Sequence, residues 1–473
     1  MNIINTLILF LILIAGQVAT VSAKQCLKGD CDNGQGTYQF DDGSTYAGYF
    51  KKGRFQGKGK LIFKDGSSYE GDFNRNLMHG QGKLIFKDGS SYAGDFNRNL
   101  MHGQGKLIFK DGREYQGRFS KDKIYGKGEM IYPDGSKYRG NFKSGVKNGI
   151  GELTYANGDK YSGSFKNNQL NGKGAFTFKN GDKYSGFFKN NQFNGQGVFS
   201  DSKGLKYSGD FVDGNFHGFG ELKKRNGDLY KGSFLNNVYQ GKGNLKISGV
   251  GEYKGDFLQG RMEGSGEYIY LNGNHYVGAF KKNQYHGAGT LFFSNGSKLK
   301  GNFLQGQIEG TGEYIYLNGN RYVGAFKKNQ YHGTGTLFFS NGSKLKGNFL
   351  QGQIEGTGEY IYLNGNRYIG TFKNDQFHGS GALFFSNGSH YKGVFFQGEF
   401  HGSGVYNSSN GLRYTGEFKS GVYDGVGDLH YPDGHRYQGQ FKAGLFHGRG
   451  VFTYPNGEQV ECIYREDKII QCQ

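Results

Sequence analysis

The sequence predicts an all-β chain, an elongated ribbon of antiparallel β-hairpins. Three observations carry this expectation. A pentad of the form Tyr/Leu-x-Gly-x-Phe recurs every 23 residues, at Tyr46, Tyr69, Tyr92 and onward to Tyr437, in eighteen copies without an insertion. Such self-similarity marks a repeat architecture. Within each copy the aromatic and glycine residues fall at alternate positions, the period of a strand. Between the alternating runs stand clusters of Gly, Asn, Asp and Pro that suit hairpin loops. A chain of 473 residues would ordinarily suggest about three domains, but an unbroken period predicts one array.

In chain order, residues 1–23 carry no charged side chain, Leu7 to Ile14 is wholly apolar, and the stretch ends Val21-Ser22-Ala23. This reads as a secretory signal cleaved after Ala23. The same stretch could just cross a bilayer of about 30 Å, but Asn5, Gln17 and Thr20 argue against a retained anchor. Residues 24–45 read as an N-terminal cap and partial repeat, 46–459 as the eighteen repeats, and 460–473 as a degenerate capping hairpin.

The four cysteines flank the array, Cys26 and Cys31 before it and Cys462 and Cys472 after it. A disulfide needs Cα atoms within about 7 Å, whereas eighteen hairpins stepping at about 4.8 Å per strand would hold the ends well over 100 Å apart. Two local bonds are therefore expected, Cys26 to Cys31 and Cys462 to Cys472, in an oxidising compartment.

Let the pentad Tyr be position 0. Position 20 is Gly in seventeen of eighteen units, with Val250 the exception, and Pro133, Pro432 and Pro455 all stand at position 18. This order suits a type I turn followed by a left-handed residue. Position 17 should then pair with position 21, and position 15 with the next Tyr. The second turn, at positions 5 to 8, is expected to pair Phe 4 with an apolar position 9, Gly 2 with Gly 11 and Tyr 0 with Gly 13. All of these would share one face, with the rings lying flat across the glycines and covering the backbone.

The pattern resembles the MORN (membrane occupation and recognition nexus) repeat family, whose 23-residue units carry Tyr-x-Gly-x-Phe followed by a Gly-x-Gly pair. Here these are Tyr46-Ala-Gly48-Tyr-Phe50 with Gly57-Lys-Gly59, and Tyr437-Gln-Gly439-Gln-Phe441 with Gly448-Arg-Gly450. The resemblance covers nearly all of residues 32–461. It implies a single-layer antiparallel sheet and roles in scaffolding, dimerisation and attachment to membranes.

Catalytic chemistry is disfavoured. Eight histidines (His79, His102, His217, His286, His332, His378, His401 and His447) share position 10, but the same slot holds Gln, Asn, Glu, Asp and Tyr elsewhere. Neighbouring copies stand two strand spacings apart, about 10 Å, too far for one zinc ion. Serines fall in turns with no nucleophile elbow, and no phosphate-loop signature stands between a strand and a helix. No enzyme activity, cofactor, metal or small-molecule substrate is expected.

Charge is more informative. The net +18 falls entirely on the array, and lysine recurs at position 5 as Lys51, Lys143, Lys166, Lys189, Lys281, Lys327, Lys373, Lys419 and Lys442. These basic turns would serve solubility or contact an anionic lipid or envelope polymer. Nucleic acid is disfavoured for an exported chain without Trp. The preferred expectation is an exported, non-catalytic scaffold that binds a protein partner, or itself, through its aromatic face, which a single layer cannot bury completely. The alternative is peripheral attachment to an anionic phospholipid membrane or cell-envelope surface through the basic turns. Asn295, Asn341, Asn387 and Asn407 head glycosylation sequons, which matter only in a eukaryotic source. Residues 276–321 are repeated as 322–367 with one difference, Ala288 against Thr334, so a recent duplication has lengthened the same surface.

Overall fold

The computed structural model describes residues 26–473, and the predicted signal at 1–23 lies outside them. Every regular element among the described residues is a β-strand, from β1 (Cys26–Gly29) and β2 (Gln35–Gln39) to β39 (Gln459–Arg465) and β40 (Lys468–Cys472). The chain divides into two compact units, the first ending at Val238 and the second beginning at Tyr239. The division falls inside the repeat that starts at Tyr230, where the 23-residue period is unbroken.

Within the first unit the plan is set by β3 (Thr45–Lys51), β4 (Arg54–Ile62), β5 (Ser68–Asn74), β6 (Leu77–Ile85) and β7 (Ser91–Asn97), each antiparallel to the strand before and after it. The second unit repeats the plan, for instance in β23 (His275–Lys281), β24 (Gln284–Phe292) and β25 (Lys298–Leu304). The all-β antiparallel class expected from the sequence therefore holds in each unit. The loop at positions 18 to 20 also forms as expected. Phe63 donates its N–H to the Ser67 carbonyl at 2.9 Å, and Gly66, at φ +89°, donates to the Phe63 carbonyl at 3.0 Å. Where Val250 stands in place of this glycine, the left-handed conformation passes to Gly249, at φ +74°.

The second turn is a two-residue loop with both central residues at positive φ, such as Arg75 at 51° and Asn76 at 66°, the type I′ geometry that matches strand twist. Asn, Asp or Gly, the residues most at ease in that region, occupies position 7, whereas position 6 adopts it with Lys, Arg, Gln, Ser or Ala as well. Asn and Asp have a second role there, since each joins its turn to the preceding repeat. The Asn76 Oδ1 accepts the Phe55 N–H at 2.7 Å, and the Asn76 N–H donates to the Phe55 carbonyl at 3.1 Å.

The register within the hairpin departs from expectation. Phe73 does face Met78, but Gly71 faces Gly82 and Tyr69 faces Leu84, so positions 2 and 0 pair with 13 and 15 rather than 11 and 13. A bulge explains the shift. Gly80, at position 11 and φ +63°, lets the longer strand take extra residues, and it faces Phe96 of the next hairpin instead. A Cβ on Gly80 would meet the Asp72 side chain, so position 11 leaves the aromatic face for the opposite one.

The bulge creates the slot for the tyrosine ring. A Cβ built on Gly82 would lie 2.5 Å from the Tyr69 Cζ, and one on Gly71 2.5 Å from its hydroxyl, so the ring lies directly on both glycines. Its edges meet Phe73 and Phe96 of the next repeat in T-shaped contacts at 5.0 and 4.9 Å, each worth about 0.5–1.5 kcal/mol beyond burial. Where position 9 is aromatic it stacks on the outer face of the ring, as Phe55 does on Tyr46 at 3.7 Å. The Tyr69 hydroxyl donates to the Asp72 carbonyl at position 3, within the bulge, at 2.9 Å. In the two repeats that begin with Leu299 and Leu345, the fully buried Ile308 and Ile354 fold over the glycines in place of the ring. At the chain ends the expected disulfides are present, Cys26–Cys31 with Cα atoms 6.0 Å apart and Cys462–Cys472 at 4.0 Å.

Candidate functional site

On the aromatic face the pentad rings are closed off from solvent. The pentad tyrosines are essentially inaccessible and the pentad phenylalanines are 5% exposed or less. Stacking along the array buries these pentad rings within their own unit, while Phe63, Phe178, Tyr285 and Tyr316 on the same face stay partly accessible, as expected of a single layer. Burial pushes the phenol of Tyr161 up to about 12, and that of Tyr184 likewise. Position 9 carries one foreign residue, Lys147, whose ammonium sits 5.1 Å from the Tyr132 ring and 5.4 Å from the Tyr138 ring. Burial lowers the pKa of this amine.

Position 10 caps backbone. The carboxylates of Glu309, Glu355 and Asp424 accept the N–H groups of Lys328, Asn374 and Ala443, at position 6 of the following repeat, at 2.8 to 3.0 Å. Gln56, Gln240 and Glu263 accept in the same way, whereas His217 and His447 in this slot each bury an Nδ1 without a partner among the described residues. Among the described residues no group of three or more His, Cys, Asp or Glu side chains could hold a metal ion. The side chains of Asn295, Asn341 and Asn387 accept the N–H groups of Ser297, Ser343 and Ser389 within their loops at 2.9 Å each.

The nine position-5 lysines end the strand that enters each type I′ turn. All are exposed, and none has a carboxylate within ion-pair distance among the described residues. They mark the border of the sheet and do not converge on a common site.

The face opposite the rings carries the accessible chemistry. Position 22, the residue before each pentad, pairs across the sheet with position 16 on both sides, so the two form a continuous row. In the first unit the partners run Lys137, Thr154, Lys160, Thr177, Lys183, Ser200, Lys206 and Lys223. In the second unit Lys298, Arg321, Lys344 and Arg367 alternate instead with Phe and Ile. There the cations lie over rings, with Arg321 4.5 Å and Lys344 5.5 Å from Phe338. Arg321 also pairs with Glu313 at 2.9 Å, and Arg367 pairs with Glu359 at 2.5 Å. A shallow groove crosses the same face in the first repeats, beside Ala47, Tyr49, Lys60 and Glu70.

Position 22 was not singled out from the sequence, where attention fell on the turn lysines. The signal was the basic residue directly before the pentad, as in Lys137-Tyr138 and Arg367-Tyr368. Its meaning depends on register, because only the pairing shows that these cations share one row.

The model of the MORN repeat matches the chain in nineteen consecutive segments from residue 33 to residue 459. Two shortened segments, 300–321 and 346–367, begin just after Leu299 and Leu345, where the pentad lacks its tyrosine. Among curated proteins none matches. The TCP domain of Drosophila melanogaster SAS-4 (dCPAP), solved with a proline-rich motif of Ana2 (dSTIL), is similar at 18% identity, covering 33% of this chain and 85% of that one, with a TM-score of 0.23. The TCP10 domain of Danio rerio CPAP, solved with a peptide of Danio rerio STIL, matches at 13% identity over 63% of this chain and 96% of its own, with a TM-score of 0.16. A streptogramin B lyase matches at 13% identity over 67% and 92% of the two chains, with a TM-score of 0.11.

Proposed function

The chain belongs to the MORN-repeat family, and from that premise we propose that it is a non-catalytic scaffold that binds a protein partner, or a second copy of itself, across the outward face of its sheet. One contrast carries this reading. The pentad rings are buried, whereas the outward face of the second unit exposes Val277, Val323, Ile369 and Phe384 at 39 to 43%. Exposed apolar side chains bordered by Lys and Arg have the composition of an interface core and rim. The duplication supports the same reading. Val277, Val323 and Ile369 recur every 46 residues, four strand spacings or about 19 Å apart, so each added pair of repeats extends one surface. Replacing all three by Lys should leave the fold intact and abolish recovery of the partner that copurifies with the native protein. Undiminished recovery would overturn the assignment of this face.

A second reading rests on the border lysines. Their exposure and lack of ion pairs favour attachment of either unit to an anionic membrane or envelope surface. Sedimentation with anionic but not neutral vesicles, reversed by salt, is the expected result, and no capture at low salt counts against it. The two disulfides and the apolar leader favour an exported location in an oxidising compartment. N-terminal sequencing of the native protein should then begin at Lys24.

A further inference from the structure

We propose that the lysine row of the first unit binds a linear anionic polysaccharide carrying about one acidic group per disaccharide. The row is local. Before it, positions 22 and 16 hold Ser68, Ile85, Ser91, Ile108, Glu114 and Ile131, with no cation. From Lys137 onward the row alternates cation and hydroxyl, placing Lys137, Lys160, Lys183 and Lys206 on every second strand. Two strand spacings set these ammonium groups about 10 Å apart in one line, comparable to the length of a disaccharide.

Four further observations favour a polyanion. All four lysines are exposed. None has a carboxylate within ion-pair distance among the described residues, whereas nearby cations do, Arg139 with Glu129 and Arg225 with Asp201. The adjacent row between Glu152 and Glu221 is uncharged, running Ser162, Ala175, Ser185, Val198 and Ser208. At the end of the lysine row Lys206 stands directly opposite Lys223, a like-charge pairing that destabilises a sheet and that an anionic ligand would relieve. Thr154, Thr177 and Ser200 supply hydrogen-bonding hydroxyls between the cations, suited to sugar hydroxyls. A membrane is less favoured because this line places hydroxyls, not apolar anchors, between its cations.

The test uses the full chain with its disulfides intact and fluorescent hyaluronan oligosaccharides, which carry one carboxylate per disaccharide. Binding should fall as salt rises. Combined Lys137→Gln, Lys160→Gln, Lys183→Gln and Lys206→Gln should weaken it by roughly tenfold or more, as four exposed charge contacts of a few tenths of a kcal/mol each would require. The same four changed to Arg should retain binding, which separates lost charge from lost fold. A border variant of the same unit, Lys143→Gln, Lys166→Gln and Lys189→Gln, should bind as the parent does. Absence of binding, equal loss in the border variant, capture by anionic vesicles that the same four Gln changes weaken equally, or binding to polyglutamate as strong as to hyaluronan would each overturn the proposal.

Discussion

The slot beneath each tyrosine gives the sharpest test of the packing, through Gly82→Ala. The added methyl would stand 2.5 Å from the Tyr69 Cζ, and the ring cannot yield because Phe73 and Phe96 hold its edges. Forcing an atom into such packing costs about 1–3 kcal/mol. A ring lifted from the slot also withdraws its hydroxyl from the Asp72 carbonyl, and a buried carbonyl left without a partner costs about 1–3 kcal/mol more. Gly66→Ala provides the control. Gly66 has φ +89° but nothing within 4 Å of the added methyl, so only backbone strain of about 1–2 kcal/mol remains. Repeat arrays open locally, so the appropriate readout is hydrogen exchange of β5 and β6. Gly82→Ala should reduce protection there by about 2–6 kcal/mol. If it is no more damaging than Gly66→Ala, the ring-on-glycine account is refuted.

Other perturbations address the remaining contacts. Asn168→Ala should cost about 1–2 kcal/mol in exchange protection around Lys147, whose N–H the Asn168 Oδ1 accepts at 2.8 Å, while Asn168→Gly should cost less because glycine suits the turn. Burial raises Tyr161, Tyr184, Tyr207, Tyr276 and Tyr322 to about 12, against an ordinary value of 10.0. A raised folded-state value stabilises fully below the unfolded value, so stability should be flat to about pH 10 and fall as pH rises toward 12; a loss beginning near neutrality would contradict this. Reducing Cys462–Cys472 should speed exchange in β39 and β40 and leave strands near Tyr276 unchanged, because each repeat contacts only its neighbours.

Much of the fold was legible because every local signal agreed with the 23-residue period. The glycine at position 20, the pairing of positions 17 and 21, and the local disulfides could all be read from residue type and spacing. The register around the bulge could not. Glycine at position 11 is required for its left-handed backbone, whereas glycines at 2 and 13 are required for the absence of a Cβ, and the letter is the same for both. Burial of the pentad rings was hidden for a related reason. Alternation places Tyr and Phe on one side but does not show that Phe96 of the next repeat closes over Tyr69. Without the cross-strand register, the basic residues that precede many of the pentads, from Lys137 to Arg436, also could not be distinguished from solubilising charge.

The central claim is that the pentad rings are consumed by folding and the outward face makes contacts. Hydroxyl-radical footprinting of the native protein, with and without the partner it copurifies with, tests this most directly. The account predicts that the pentad tyrosines are unmodified in both states and that protection on binding is confined to outward-facing residues such as Val323, Phe384 and Ile369. Strong labelling of Tyr276 or Tyr322 in the free protein, with protection of those rings by the partner, would contradict it.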